Sequence, residues 1–268
     1  MKKILLILTT AILGLGLLPA FAQFGKPGSS AADNALFTVF GTNLNFSANM
    51  EMDAKLPSHE DEVTMPGKIY FANGNTRTEM DMTKIKGSQM PPHAADQMKA
   101  MGMDQIVSIF RNDTKTVYLI YPGFDSYAKM AAPATAQGAE DSKMETTQLS
   151  KETLDGHPCV KNQYTVTNAK TGEKLTLIAW LATDLKNYPI KIQMNPPADA
   201  KGQADTTTTL HFTDISLAQP AASLFEPPLG YRVYTDPQAM VQTEMMKKMG
   251  GGTAMPPGHL PPGHPQSN

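Results

Sequence analysis

The chain has 268 residues, 41% of them hydrophobic and 18% charged, with 23 Lys and Arg against 25 Asp and Glu for a formal charge of −2. That balance, with arginine only at Arg77, Arg111 and Arg232, excludes the basic footprint of a nucleic-acid binder. One cysteine, Cys159, excludes an internal disulfide, so a hydrophobic core has to hold the fold.

The opening "MKKILLILTTAILGLGLLPAFAQ" has the layout of a secretory signal peptide over residues 1–22. Lys2 and Lys3 form its basic start, Ile4 to Leu18 its apolar run, and Ala20-Phe21-Ala22 its cleavage site. The apolar run is short for a bilayer span. No cysteine follows the cleavage site and no second apolar run of spanning length occurs. The mature chain is therefore expected in the periplasm or outside the cell, with no lipid anchor and no transmembrane segment. Cleavage removes two lysines, so 21 basic residues face 25 acids and the charge becomes −4.

After a polar leader, residues 23–34, a β-domain is expected over 35–235. Its first signal is "LNFSANMEMDAKL", Leu44 to Leu56. Leu44, Phe46, Ala48, Met50, Met52, Ala54 and Leu56 share one parity and the polar residues the other, the pattern of a strand with one dry face. "SHEDE", Ser58 to Glu62, lacks the alternating oxygens of a calcium loop and reads as a charged turn. "KIYF" and "TRTEMDM" flank Asn73-Gly74-Asn75, a hairpin, and put Met80 and Met82 on one face. "PPHAADQMKAMGM" spaces Ala94, Met98 and Met101 for a helical insert near 92–103. "QIVSIFR" and "KTVYLIY" form a second hairpin, and residues 131–142 a long loop. "CVKNQYTVT" and "KLTLIAWLA" form a third, then "YPIKIQMN" and "TTTTLHFTDISL" close the series. Asp236, Pro237, Lys247, Lys248 and Gly250 mark the cap, start and end of an amphipathic helix over 236–250. Residues 251–268, rich in Pro and Gly, are expected to be disordered.

Five phrases, "GKIYFANGNTRTEM", "IFRNDTKTVYLIYPGFDSYAKM", "LDGHPCVKNQYTV", "WLATDLKNYPIKI" and "SLFEPPLGYRV", together resemble an uncharacterised secreted bacterial family of unknown function. That family is related to the outer-membrane lipoprotein carrier (LolA/LolB-like) fold. The resemblance implies a mainly β protein with few helices: a strongly curved antiparallel sheet, an incomplete β-barrel, capped by helices. In carriers of that fold the concave face holds acyl chains. The helices at 92–103 and 236–250 would then cover the dry face of "LNFSANMEMDAKL".

The chain contains 18 methionines, more than a sheet needs. Unbranched, polarisable side chains adapt to ligands of variable shape, and they also fill gaps in ordinary cores. The expected apolar cup comprises Phe46, Met50, Met52, Met80, Met82, Met98, Met101 and Trp180, although Trp180 better suits a core anchor. A rival reading is a Cu(I) site at Met98, Met101 and Met103, with His259 and His264 of the tail, because thioether sulfur suits Cu(I). Alternation alone also produces such methionine pairs. His157 and Cys159 stand two apart on one strand, but a lone cysteine between proline and valine is usually a small buried hydrophobe. No G-x-S-x-G, H-E-x-x-H, C-x-x-C or P-loop motif occurs. The sequence therefore predicts no enzyme and no cofactor. It predicts an exported binder or carrier of a lipid-like or other apolar ligand, with the copper protein and a ligand-free interaction module as alternatives.

Overall fold

The structure, a computed structural model, describes Val39 and residues 45–55, 62–87, 93–132, 142–168, 174–195 and 207–250. The expected signal peptide, leader and C-terminal tail lie outside the described residues, as do Leu44, Leu56, most of "SHEDE" and residues 133–141 of the expected loop.

Among the described residues, twelve strands and two α-helices can be traced in full. They are β1 (Phe46–Lys55), β2 (Glu62–Ala72), β3 (Asn75–Asp81), α1 (Ala94–Met101), β4 (Gln105–Arg111), β5 (Thr116–Tyr121), β6 (Ser126–Ala131) and β7 (Ser142–Leu154). There follow β8 (His157–Asn168), β9 (Lys174–Ala182), β10 (Tyr188–Asn195), β11 (Thr207–Ser216), β12 (Arg232–Tyr234) and α2 (Pro237–Lys248). The strands form one sheet in the order β12-β6-β5-β4-β3-β2-β1-β11-β10-β9-β8-β7. Every neighbouring pair is antiparallel except β12 with β6.

The expectation of a strongly curved, incomplete barrel capped by helices is corrected here. The sheet is open, neither closed nor strongly curled, and β7 and β12 are its two edges. Closure requires a ladder between edge strands, and β12 has only three residues, paired to β6 alone. The helices do not cover β1 either. α1 packs on the 3-10 turn Met82–Lys84 and has no fully buried residue, while α2 packs on β6 and β12.

β1 lies near the middle of the sheet, and its dry parity is buried: Phe46, Ala48, Met50, Met52 and Ala54. Its partners extend that dry face in both directions. Met50 faces Phe212, Met52 faces Leu210 and Met65, and Leu210 faces Ile192. Phe46 stacks on Phe71 with ring centroids 5.5 Å apart and meets Tyr188 edge-on at 4.7 Å. Such aromatic pairs add about 1 kcal/mol beyond the area they bury.

A second core occupies the opposite face, farther along the sheet. Ala72, Val107, Ile109, Tyr118, Ile120 and Phe225 cluster there with Tyr70 and Leu224 packed against them. Phe225 and Leu224 belong to the 3-10 turn Ala222–Phe225. Two arginines tie this segment down: Arg77 Nη1 donates to the Leu224 carbonyl at 3.1 Å, and Arg111 pairs with Glu226 and Asp113.

α2 is fixed by a buried carboxylate. Glu244 is 3% exposed and accepts from Arg232 Nη2 at 2.6 Å, Tyr234 Oη at 2.5 Å and Lys247 Nζ at 3.0 Å. Burial pushes its carboxyl upward, but the hydrogen bonds from Tyr234 and Lys247 and the charges of Arg232 and Lys247 outweigh this, so its pKa is lowered. A carboxyl depressed on folding adds stability above its ordinary value of 4.5 and loses it as pH falls through the depressed one. Where α1 ends, Gly102 adopts a left-handed φ of 75° and lies against Gly123 and Lys248. A Cβ at Gly123 would come 2.5 Å from the Gly102 carbonyl oxygen and 2.7 Å from its Cα.

Two outcomes follow for stability. Gly123→Ala forces backbone against backbone and is expected to cost about 1–3 kcal/mol in thermal or denaturant unfolding. An unchanged midpoint would show that α1 and the Pro122–Phe124 turn do not meet this closely. Glu244→Gln should cost about 2 kcal/mol, the scale of hydrogen bonds to a charged group. It should also remove the part of the acid sensitivity of α2 that develops below pH 4.5. Hydrogen exchange of the α2 amides at neutral and acid pH measures both.

Candidate functional site

Residues directly opposite in neighbouring strands share a face. The face that carries the β1 core continues through β2, β3, β4 and β5, where Val63, Met65, Phe71 and Val117 are buried but two rows across the middle are only half-buried. Ile69, Thr78, Ser108 and Leu119 form one cross-strand row, and Gly67, Met80 and Ile106 another. Beyond this strip, Ala128 and Ser126 are fully buried on the same face, beside Tyr234 and Arg232, which hold Glu244 of α2. The face is thus a packed core on one side, a half-buried, largely apolar floor in the middle, and a helix on the other side.

Methionine borders this floor where it meets the core. Gly67 has no side chain, and a Cβ there would touch Met50 Cε and Met80 Cγ, each at 3.5 Å, and clash with the Glu79 carbonyl oxygen at 2.6 Å. The absent side chain lets the two thioether chains converge over β2. Met52 and Met65 lie opposite each other one row farther along.

Of the residues expected to form the cup, Phe46, Met50, Met52 and Met80 share this face. Met82 is buried, but it begins the turn after β3 rather than continuing the strand. Met98 and Met101 lie on the half-buried stripe of α1 with Ala94 and Ala95, and Met103 follows in the loop to β4. His259 and His264 lie outside the described residues.

Trp180 is on the opposite face. It is cross-strand partner to Lys161 and Lys191, whose ammonium groups lie 4.6 Å and 5.2 Å from its ring centroid. Its indole N–H donates to Glu152 at 2.6 Å. Cys159 is 3% exposed, and burial pushes its thiol up. Its Sγ donates to the His157 carbonyl, while the His157 ring binds Asp184 at 2.8 Å and draws that carboxyl down. No nucleophile–base contact joins Cys159 to the imidazole. A groove of about 430 Å³ opens on the Trp180 side, lined by Glu51, Thr64, Pro66 and Thr83 to Lys86, away from the apolar floor.

Ile69, Ile106 and Leu119 were not singled out by the sequence. Their strands "KIYF", "QIVSIFR" and "TVYLIY" carry apolar residues at both parities, because the outer core lies on one side of them and the half-buried floor on the other. Periodicity cannot choose a face in such a strand.

Among the described residues, no group of three or more His, Cys, Asp and Glu is placed to hold a metal ion. Nor, among them, is any helix long and apolar enough to cross a membrane. No protein-family model and no curated protein matches the chain. Solved structures do resemble it. The lipoprotein LppX of Mycobacterium tuberculosis is 8% identical, with 70% of this chain and 94% of that one covered and a TM-score of 0.37. A DUF1329 family protein from Desulfovibrio piger is 10% identical, with 75% and 97% covered and a TM-score of 0.33. A domain assigned to outer-membrane lipoprotein sorting, from Vibrio parahaemolyticus, is 12% identical, with 72% and 94% covered and a TM-score of 0.31. The chain thus resembles, at low identity, a lipoprotein, a lipoprotein-sorting domain and a protein of a DUF family. Identities and TM-scores this low assign neither ligand nor activity.

Proposed function

We propose that this chain is an exported, non-catalytic binding or carrier protein of the cell envelope, and that a lipid-like or other apolar ligand lies along the half-buried floor. One observation carries this reading: an apolar strip, Ile69, Met80, Ile106 and Leu119, only partly buried between the inner core, on which Ile69 and Met80 pack, and α2. Each ligand methylene moved from water onto such a floor contributes about 0.8 kcal/mol. Met50 and Met80, meeting over Gly67, supply side chains that can follow the shape of a tail. Thr78 and Ser108 in the same row give that tail a polar neighbour. The signal-peptide pattern at residues 1–22 supports export.

The test is native mass spectrometry of mature protein purified gently from its own envelope, with uptake of a fluorescent long-chain fatty acid measured in parallel. A lipid-sized mass released by organic solvent is expected. Met80→Glu and Leu119→Glu place a charge on the half-buried floor and should weaken uptake at least tenfold, a loss of about 1.4 kcal/mol. Uptake that survives in a folded variant overturns the reading. A copper-sized adduct, lost when Met98, Met101 and Met103 become leucine, would replace it with the metal alternative. A bare polypeptide mass without uptake would leave the interaction module.

A further inference from the structure

β7, with 13 residues, is the longest of the described strands and forms one edge of the sheet. Among the described strands it pairs with β8 alone. Every residue from Lys143 to Thr153 is exposed, including Met144 at 38% and Leu149 at 47%. An edge of this length can extend its sheet into another chain. β12, at the other edge, has three residues and packs against α2.

The faces of β7 follow from its ladder. Thr146 faces Tyr164 and Gln148 faces Asn162, but Ser150 faces Lys161 and Glu152 faces Cys159. Leu149 is the extra residue of a bulge, and it exchanges the two parities. Lys143, Glu145 and Thr147 therefore share the outer face with Ser150 and Glu152. Met144, Thr146 and Gln148 share the inner face with Lys151. The strand carries two cations, Lys143 and Lys151, and two acids, Glu145 and Glu152. Charges and a bulge discourage pairing with an arbitrary strand. Their order is nevertheless complementary to itself.

A second copy related by a two-fold axis normal to the sheet would pair antiparallel and keep each face on its own side. With Thr147 on the axis, Gln148 meets Thr146 of the second copy. Beyond the bulge, Ser150 meets Glu145, Lys151 meets Met144 and Glu152 meets Lys143. By symmetry the Lys143–Glu152 pair forms twice, with both side chains on the outer face. The indole N–H of Trp180 donates to Glu152 Oε1 at 2.6 Å and holds that carboxylate on the outer face beside the edge. Met144 gains the stem of Lys151 as cover. Moving the axis to Gln148 sets Glu145 against Glu152 twice. Moving it to Thr146 leaves Lys143 and Glu145 opposite Ser150 and Thr147. Of the three registers, only the one about Thr147 pairs opposite charges.

We propose that β7 is a homodimer interface: two copies join antiparallel through their β7 edges about Thr147, and Lys143 of each copy meets Glu152 of the other. The two sheets then run on as one. The half-buried floor on β2 to β5 lies toward the other edge and stays open in this dimer.

Sedimentation velocity of the mature protein over a concentration series tests the interface. A monomer–dimer equilibrium is expected. Lys143→Glu puts like charges opposite each other twice and should weaken dimerisation at least tenfold, and Glu152→Lys should do the same. Mixing the two variants opposes unlike charges again and should restore a dimer with one copy of each. A mature chain that stays monomeric at every concentration overturns the proposal and leaves the edge blunted by its charges. A dimer that Lys143→Glu does not weaken also overturns it, because the contact then lies elsewhere. If Glu152→Lys fails to fold once Trp180 loses its acceptor, the exposed Lys143→Glu decides alone. Tenfold weaker dimerisation supports the interface, and an unchanged affinity rejects it.

Discussion

Phe71 stacks on Phe46 in one core while its neighbours in sequence, Tyr70 and Ala72, belong to the other. The rest of the structure depends on this change of side. An open sheet of twelve strands has two faces to protect from water, and neither helix is large enough to cover one of them. The chain buries the inner face where β8 to β11, β1 and β2 meet, and the outer face where β2 to β6 meet. β2 takes part in both. The Ala222–Phe225 turn completes the outer core, and Arg77 and Arg111 hold that turn by its backbone and by Glu226. Exposed ion pairs contribute little on their own. These two arginines are only 17% exposed, and their work is to keep Phe225 seated.

The edges of the sheet pose the opposite problem, since an unpaired edge strand presents free backbone donors and acceptors to any other chain. The β12 edge is short and packed against α2 through Glu244. The β7 edge is long and uncovered, but it carries Lys143, Glu145, Lys151 and Glu152 and a bulge. Charges and bulges are the usual means of blunting such an edge.

The sequence is informative where one side of a strand is dry and uninformative where both are. β1 shows the first case: alternation from Phe46 to Ala54 matches alternating burial residue by residue. The glycine-bearing turn at Asn73-Gly74 and the capped start of α2 at Asp236 and Pro237 are equally legible, because turn and cap chemistry is local. β4 shows the second case. Val107 and Ile109 enter the outer core while Ile106 and Ser108 line the floor, so its apolar run has no single period. Trp180 is a related case: a large ring on a strand reads as core or cup, and here it is buried as a member of the core cluster, under two lysine stems and Glu152 on the outer face. Curvature was not legible at all. Barrel closure depends on which strands become edges, and no local pattern encodes that pairing.

The floor's place in this arrangement sets it apart from the residues that hold the fold. Phe46, Phe71, Tyr188 and Phe212 are no more than 2% exposed, and the fold depends on them. Met80, Ile106 and Leu119 are half-buried and lie between the inner core and α2. Burial sets the cost of a substitution, so a charge introduced at Leu119 should be tolerated where one at Phe46 is not. Two cores on opposite faces also explain why the floor exists. Over β3, β4 and β5 most of the dry contacts lie on the outer side, while the inner face buries Val117 and leaves the rows through Met80, Ile106 and Leu119 partly buried. That partly buried apolar surface is what the proposed ligand would cover.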